Sequence, residues 1–121
     1  MQSAALAYGA VARRIVNPRE LEADLLLKAA ARLQAIHDGW ERGSTGLDEA
    51  LLYNRKLWSI FLSSVTNSDH QLPAAIRQNV ANLGVFVMSQ TVAMMTNPQR
   101  GHLNSLITIN RELAAGLLGR A

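Results

Sequence analysis

The sequence predicts an all-α protein, and three observations support this fold class. Apolar residues recur every three or four positions, and alternation with a period of two never persists long enough for a strand. Hydrophobic residues make up 49% of the chain but aromatic residues only 5%, so we expect an aliphatic, alanine-rich core. Short connections between the long periodic segments imply antiparallel neighbours. We therefore predict a single domain over residues 1–121, an antiparallel bundle of about five helices.

The first two helical segments meet at a proline. The first segment, residues 3–16, carries mainly small apolar side chains, so we expect it to pack against the side or end of the other four. Residues 17–20 read Asn-Pro-Arg-Glu, an N-cap followed by a proline suited to a first helical position. The second segment continues to about Gly43. Its predicted buried stripe consists of Leu21, Leu25, Ala29, Leu33, Ile36 and Trp40.

The third and fifth segments each place one asparagine among apolar residues. In the third segment, residues 47–65, the predicted inward face consists of Leu47, Leu51, Asn54, Leu57, Trp58, Phe61 and Val65. In the fifth segment, residues 99–118, it consists of Leu103, Leu106, Ile107, Asn110, Leu113, Leu117 and Leu118. Gly119 suits the end of this last helix.

The fourth segment, residues 73–95, begins at Pro73 and is apolar on two sides. One stripe consists of Ile76, Val80, Leu83, Val87 and Met94, and a neighbouring one of Ala81, Val85, Met88, Val92 and Met95. Helices that are apolar over such a wide arc tend to be central, so we expect this helix at the centre of the bundle. Residues 78–99 are uncharged, but polar side chains interrupt them, among them Gln78, Asn79, Asn82, Ser89, Gln90 and Thr91, so we predict no membrane insertion.

The charge distribution argues against direct nucleic-acid binding. The net charge is +3, and the basic excess lies in residues 71–121. This part contains one acidic residue, Glu112, and four basic ones, Arg77, Arg100, Arg111 and Arg120. These arginines are widely spaced and lack the clustered basic stripe and stacking aromatics of an RNA-binding surface. A moderately basic partner surface is the better interpretation.

The sequence offers no constellation for catalysis, a metal or a cofactor. It has no cysteine, which removes disulfides, thiolate chemistry and the usual structural zinc sites. His37, His70 and His102 lie in three different regions, and neither a nucleophile elbow nor a phosphate-binding glycine loop is present. We predict that the protein is not an enzyme. Because the N-terminus lacks a basic region before its apolar part, we also expect it to stay in the cytoplasm.

Two short runs repeat the pattern Asn-Arg-x-Leu, at residues 54–57 and 110–113, each with its asparagine on a buried stripe. In one interpretation, Asn54 and Asn110 fix helix register by bonding to loops or helix ends. In the other, they form the polar floor of a groove, with Arg55 and Arg111 at its rim.

Three further side chains bear on partner binding. Trp58 follows a buried stripe and is expected in the core. Phe86 falls on the polar arc of the fourth segment, so it is either covered by the first helix or exposed to a partner. Met88, Met94 and Met95 are typical core residues, although methionines also line grooves that accept amphipathic helices.

The chain resembles the FlaF family of small flagellar proteins over nearly its whole length. The central residues that carry the resemblance are Asn54, Arg55, Leu57, Trp58, Leu72, Pro73, Arg77, Leu83 and Val87; Tyr8 and the runs at residues 18–22 and 106–117 extend it. The resemblance implies a cytoplasmic helper of flagellum assembly that binds flagellin and works with the regulator FlbT.

Two functional hypotheses follow from this resemblance. In the first, the protein is a flagellin secretion chaperone; in the second, it is a post-transcriptional regulator of flagellin translation acting through FlbT or flagellin messenger RNA. The candidate partner-binding residues are Asn54, Arg55, Arg77, Phe86, Met88, Asn110 and Arg111.

Overall fold

Four α-helices make up most of the part of the chain described by the computed structural model, residues 18–66 and 72–119. They are α1 (Pro18–Asp38), α2 (Leu47–Val65), α3 (Ala74–Thr96) and α4 (Arg100–Leu117), with a 3₁₀ turn at Trp40–Arg42. These residues contain no strand, which confirms the all-α class. The described residues hold four α-helices rather than about five, and the predicted first segment, residues 3–16, lies outside them.

The helix ends lie within a few residues of the predicted ones. Pro18 opens α1 as expected, but α1 ends at Asp38, and the 3₁₀ turn continues the chain to Gly43, whose φ of 109° favours glycine. Pro73 immediately precedes α3 instead of occupying its first position, because its ψ of 149° is extended. Gly119 follows α4 with a positive φ of 74°, as a helix-terminating glycine does.

Helices α1 and α4 run antiparallel and form the most extensive helix pair of the described residues. At one end, Arg100 Nε donates a hydrogen bond to the His37 carbonyl oxygen over 3.0 Å. Asn110 Nδ2, later in α4, donates to the carbonyl oxygen of Leu26, earlier in α1. The two hydrogen bonds therefore show the antiparallel direction of the pair. Helix α2 packs against both α1 and α3, whereas α3 and α4 touch only sparsely. The α3–α4 seam is therefore the loosest side of the bundle.

A continuous hydrophobic core connects all four helices, and α2 and α4 turn their predicted faces toward it. On α2, only Leu57 of the predicted inward residues is half-buried, while the other six are buried. Trp58 is fully buried, which confirms its expected place in the core, and its ring meets that of Phe61 edge-on. On α4, Leu113, Leu117 and Leu118 are partly buried around a core of Leu103, Leu106, Ile107, Asn110 and Ala114.

The predicted stripe of α1 is partly wrong. Leu21 and Leu25 are only half-buried, and the face turned inward consists of Ala23, Leu26, Ala29, Ala30 and Leu33. Apolar residues occupy more than one side of α1, so periodicity alone does not fix its orientation. The small alanines on this inward face permit the close approach of α1 to α4.

The expectation that the fourth segment lies at the centre of the bundle is also wrong. Helix α3 buries Val80, Gly84, Val87, Thr91 and Met94, a single narrow face. Six of its large apolar side chains are exposed: Ile76, Leu83, Val85, Phe86, Val92 and Met95. The predicted wide apolar arc of α3 is only partly covered, because α4 touches α3 sparsely. The composition of α3 does not reveal this.

Candidate functional site

Over residues 18–66 and 72–119, the notable surface feature is exposed apolar side chains, and no cluster of metal-binding side chains is present. No three His, Asp or Glu side chains in this part lie close enough together to hold a metal ion. None of the helices described is long and apolar enough to cross a membrane. The candidate site is therefore a surface where exposed apolar residues lie together.

Asn54 and Asn110 meet in the core instead of lining a groove. Asn110 Oδ1 accepts a hydrogen bond from Trp58 Nε1 over 2.9 Å, and Asn110 Nδ2 donates to Asn54 Oδ1 over 2.7 Å and to the Leu26 carbonyl oxygen over 3.4 Å. Both asparagines are fully buried. The expectation of a groove floor is wrong for both residues, since neither is accessible to a partner. Their bonds join α1, α2 and α4 within the helices, not at loops or helix ends.

The predicted rim arginines, Arg55 on α2 and Arg111 on α4, are both exposed. Neither lines one of the clefts between α3 and α4. Arg77 Nε donates to the Leu72 carbonyl oxygen over 3.1 Å, which secures the turn before α3. That these arginines contact a partner stays a prediction.

A groove runs along the loose seam between α3 and α4. One cleft, of about 230 Å³, is lined on α3 and α4 by Ile76, Asn79, Val80, Leu83, Ile109, Glu112, Leu113 and Gly116. A second cleft, of about 360 Å³, continues it and is lined by Phe86, Asn104, Ser105, Thr108 and Ile109. Ile109 belongs to both clefts, so we treat them as one surface, the α3–α4 groove.

The α3 wall of the groove has the spacing of one helical face. Ile76, Asn79, Leu83 and Phe86 follow each other at intervals of three, four and three residues. At 1.5 Å per residue, the ten steps from Ile76 to Phe86 span about 15 Å, roughly three helical turns. The groove is therefore long enough for a short helix.

The chemistry of the α3–α4 groove is that of an apolar floor with an uncharged polar rim. Leu83 and Phe86 on α3 and Ile109 and Leu113 on α4 supply apolar side chains, and amides and hydroxyls flank them. Phe86 is 43% exposed. The alternative that the first helix covers it stays a prediction, because residues 3–16 lie outside the described residues. Glu112 is the one charged residue that lines these two clefts. Such a surface suits the apolar stripe of an amphipathic helix.

Met88 lies on the other side of α3, away from the groove. It belongs to the second predicted stripe with Val85, Val92 and Met95, and its own side chain is partly buried against the core. Of the predicted partner-binding residues, only Phe86 lines the α3–α4 groove. Sequence reasoning did not select Ile109 or Glu112, although the sequence pattern placed Ile76 and Leu83 on a stripe beside the polar arc that holds Phe86.

Two other clefts are less suited to a helix. A polar one of about 690 Å³ lies where α2 begins, between residues 44–49 and Met95 and Pro98. A small apolar one of about 130 Å³ lies between α1 and α2, lined in part by Leu25, Leu57 and Ile60. On that same α1–α2 seam, the Arg32 guanidinium covers the Tyr53 ring at 4.2 Å.

Comparison with known proteins gives one match. The sequence profile of the family described as flagellar protein FlaF matches residues 4–117, which include all of the helices described above. Neither a search of curated proteins nor a search of solved structures found a match.

Proposed function

Because the chain belongs to the FlaF family of flagellar proteins, we propose that it is a cytoplasmic secretion chaperone that binds flagellin during flagellum assembly. In this function it covers an apolar helical stripe of flagellin and prevents premature polymerisation before export. The observation that carries the proposal is the α3–α4 groove, an apolar channel about three helical turns long that the helices described above leave open.

The side chains of the groove support a helix-in-groove interaction. Leu83 and Phe86 project from one wall, and Ile109 and Leu113 project from the other, so a partner helix has apolar contacts on both sides. Helix α3 carries no charged residue from position 78 to position 96, so an apolar helix approaches it without desolvating a charge. An aromatic anchor such as Phe86 commonly contributes much of the binding energy at such a surface.

The alternative function is post-transcriptional regulation of flagellin translation through FlbT or flagellin messenger RNA. It draws on the basic excess of residues 71–121. However, Arg77 and Arg100 each donate a hydrogen bond to a backbone carbonyl, that of Leu72 and that of His37. The apolar lining of the α3–α4 groove supports a protein partner instead.

The test is a calorimetric titration of purified monomeric flagellin into the protein at low and high salt. The chaperone function predicts micromolar or tighter binding that survives high salt, because apolar contacts dominate it. The same preparation should delay flagellin polymerisation at equimolar concentration. Absence of binding at both salt concentrations would contradict the proposal and direct attention to FlbT and RNA, whose binding to this protein would fall steeply with salt.

Two adjacent residues provide a matched pair of variants for that titration. Phe86→Asp places a charge in the α3–α4 groove and should weaken flagellin binding at least tenfold, since it removes an aromatic anchor. Val85→Asp introduces the same charge one position away, at a side chain that is 70% exposed and lines neither cleft. It should leave affinity within about twofold, because surface substitutions away from a contact have small effects. Equal losses for both variants would contradict the assignment of the groove.

A further inference from the structure

The α3–α4 groove contains one unpaired charge. Glu112 lines its first cleft, and none of the ion pairs formed within residues 18–66 and 72–119 involves Glu112. Arg111, its neighbour in the sequence, lies about 100° further round the helix and lines neither cleft. Among the described residues, this carboxylate in an otherwise uncharged groove therefore forms no ion pair.

Glu112 also lies off-centre in the groove, in the half that contains Ile76 and Gly116. Phe86 lies in the other half, with Asn104 and Ser105. Apolar side chains along the groove attract an amphipathic helix without selecting its direction, because dispersion and burial are not directional. A single off-centre charge does distinguish the two directions, since charged groups determine register and exclude mismatched partners more than they add affinity.

We propose that Glu112 binds a lysine or arginine side chain on the helix that occupies the groove, and that this contact selects the helix and its direction. The inference rests on the proposed function, with flagellin as the protein that carries the helix. The recognised segment has apolar residues at intervals of three and four, uncharged polar flanks and one basic residue in the half that meets Ile76 and Gly116. A segment with an acidic residue at that place is rejected by repulsion between like charges.

The test is the flagellin titration repeated with charge variants of the full chain. Glu112→Gln should weaken binding about three- to tenfold at low salt, the range expected for a partly exposed ion pair at an interface. Glu112→Lys should weaken it further, because it adds repulsion. Both differences should shrink at high salt, since the contact is screened. Glu112 is exposed, so both variants should fold, which circular dichroism can check.

Arg111→Gln is the matched control. It changes the net charge by one unit, opposite in sign to Glu112→Gln, at the adjacent position outside the groove, and should alter affinity less than twofold. If Phe86→Asp abolishes binding while Glu112→Lys binds like the unaltered protein, the role of Glu112 is overturned and the proposed function stands. If Arg111→Gln and Glu112→Gln changed the affinity by equal factors in opposite directions, general charge attraction would explain both, and the role of Glu112 would be overturned too. Failure of the unaltered protein to bind flagellin would overturn both proposals.

Discussion

Asn110 donates a hydrogen bond from its side-chain amide to Asn54 Oδ1, 2.7 Å away, across a separation of 56 residues in the sequence. Asn110 at the same time accepts a hydrogen bond from Trp58, so three buried polar groups form a chain of bonds between α2 and α4. Buried polar groups cost free energy unless they are paired, so this chain penalises any sliding of α4 along α2.

Replacing the two asparagines by leucine should have unequal effects. Asn110→Leu leaves both Trp58 Nε1 and the Asn54 amide without a partner and should lower the free energy of unfolding by about 3 kcal/mol. Asn54→Leu should cost about 1 kcal/mol, because Asn54 Nδ2 makes no hydrogen bond and Asn110 keeps Trp58 and the Leu26 carbonyl. Urea unfolding monitored by circular dichroism measures both values.

The double variant controls for this interpretation. With both asparagines replaced, only Trp58 Nε1 loses its partner, so the total cost should be smaller than the sum of the two single costs. Additive costs, or equal costs for the two single variants, would show that the hydrogen-bond chain does not determine stability at this place.

Gly84 allows α3 to pack closely on α2. A Cβ atom at this position would overlap the Leu62 side chain, approaching its Cγ to 2.8 Å. Gly84→Ala should therefore destabilise the protein by about 1 kcal/mol, because overpacking of about 2 kcal/mol exceeds the gain of about 1 kcal/mol in helix propensity. In a Leu62→Ala background, the same substitution should become stabilising, as thermal unfolding can show.

Gly116→Ala is the control for that experiment. Nothing lies within 4 Å of a Cβ at Gly116, so only helix propensity acts there, and stability should rise by up to about 1 kcal/mol. If Gly84→Ala raised stability like Gly116→Ala in the unaltered background, close packing of α3 on α2 at Leu62 would be refuted.

The end of α1 should show a pH-dependent contribution from Asp38. A hydrogen bond from Gln34 Nε2, 2.8 Å long, and then the contact with His37 lower the pKa of the Asp38 carboxyl below its ordinary value. A lowered pKa in the folded state contributes stability that is present above the unfolded pKa and is lost as pH falls through the folded pKa. Gln34→Ala should raise the pKa of Asp38 toward its ordinary value, as an NMR titration of the side-chain carboxyl would measure.

Gln78→Ala provides the comparison for this titration. Gln78 bonds to Asn82 four residues on, at a place on α3 remote in sequence from Asp38, so its removal should leave the Asp38 titration unchanged. An unaltered Asp38 pKa in Gln34→Ala would mean that the Gln34 hydrogen bond does not persist in solution.

The sequence predicted the positions of the helices better than it predicted which faces pack against one another. In α2, most of the large apolar residues recur at helical intervals on one face, so periodicity identified Leu51, Trp58 and Phe61 as buried. In α3, apolar residues surround most of the helix, and which of them are covered depends on the distance of α4. That distance arises from long-range packing, which no local pattern encodes.

The candidate site was predictable only in part, for the same reason. Phe86 stood out because a large aromatic on a polar arc is unusual. The repeated Asn-Arg-x-Leu runs suggested a shared site, but periodicity cannot distinguish an asparagine that faces a groove from one that faces another asparagine. Glu112 lies within the second of these runs and is the one acidic residue of residues 71–121, but the sequence does not show that uncharged residues of α3 line the same cleft.

Site-specific photocrosslinking to flagellin tests most directly the central claim that the α3–α4 groove is the binding surface. p-Benzoylphenylalanine placed at position 86, where it resembles the native phenylalanine, should crosslink to flagellin on irradiation. The same group at position 85, or at the exposed Ile60 of α2, should give little product. Strong crosslinks from positions 60 or 85 and none from position 86 would contradict the groove and place flagellin on another face of the bundle.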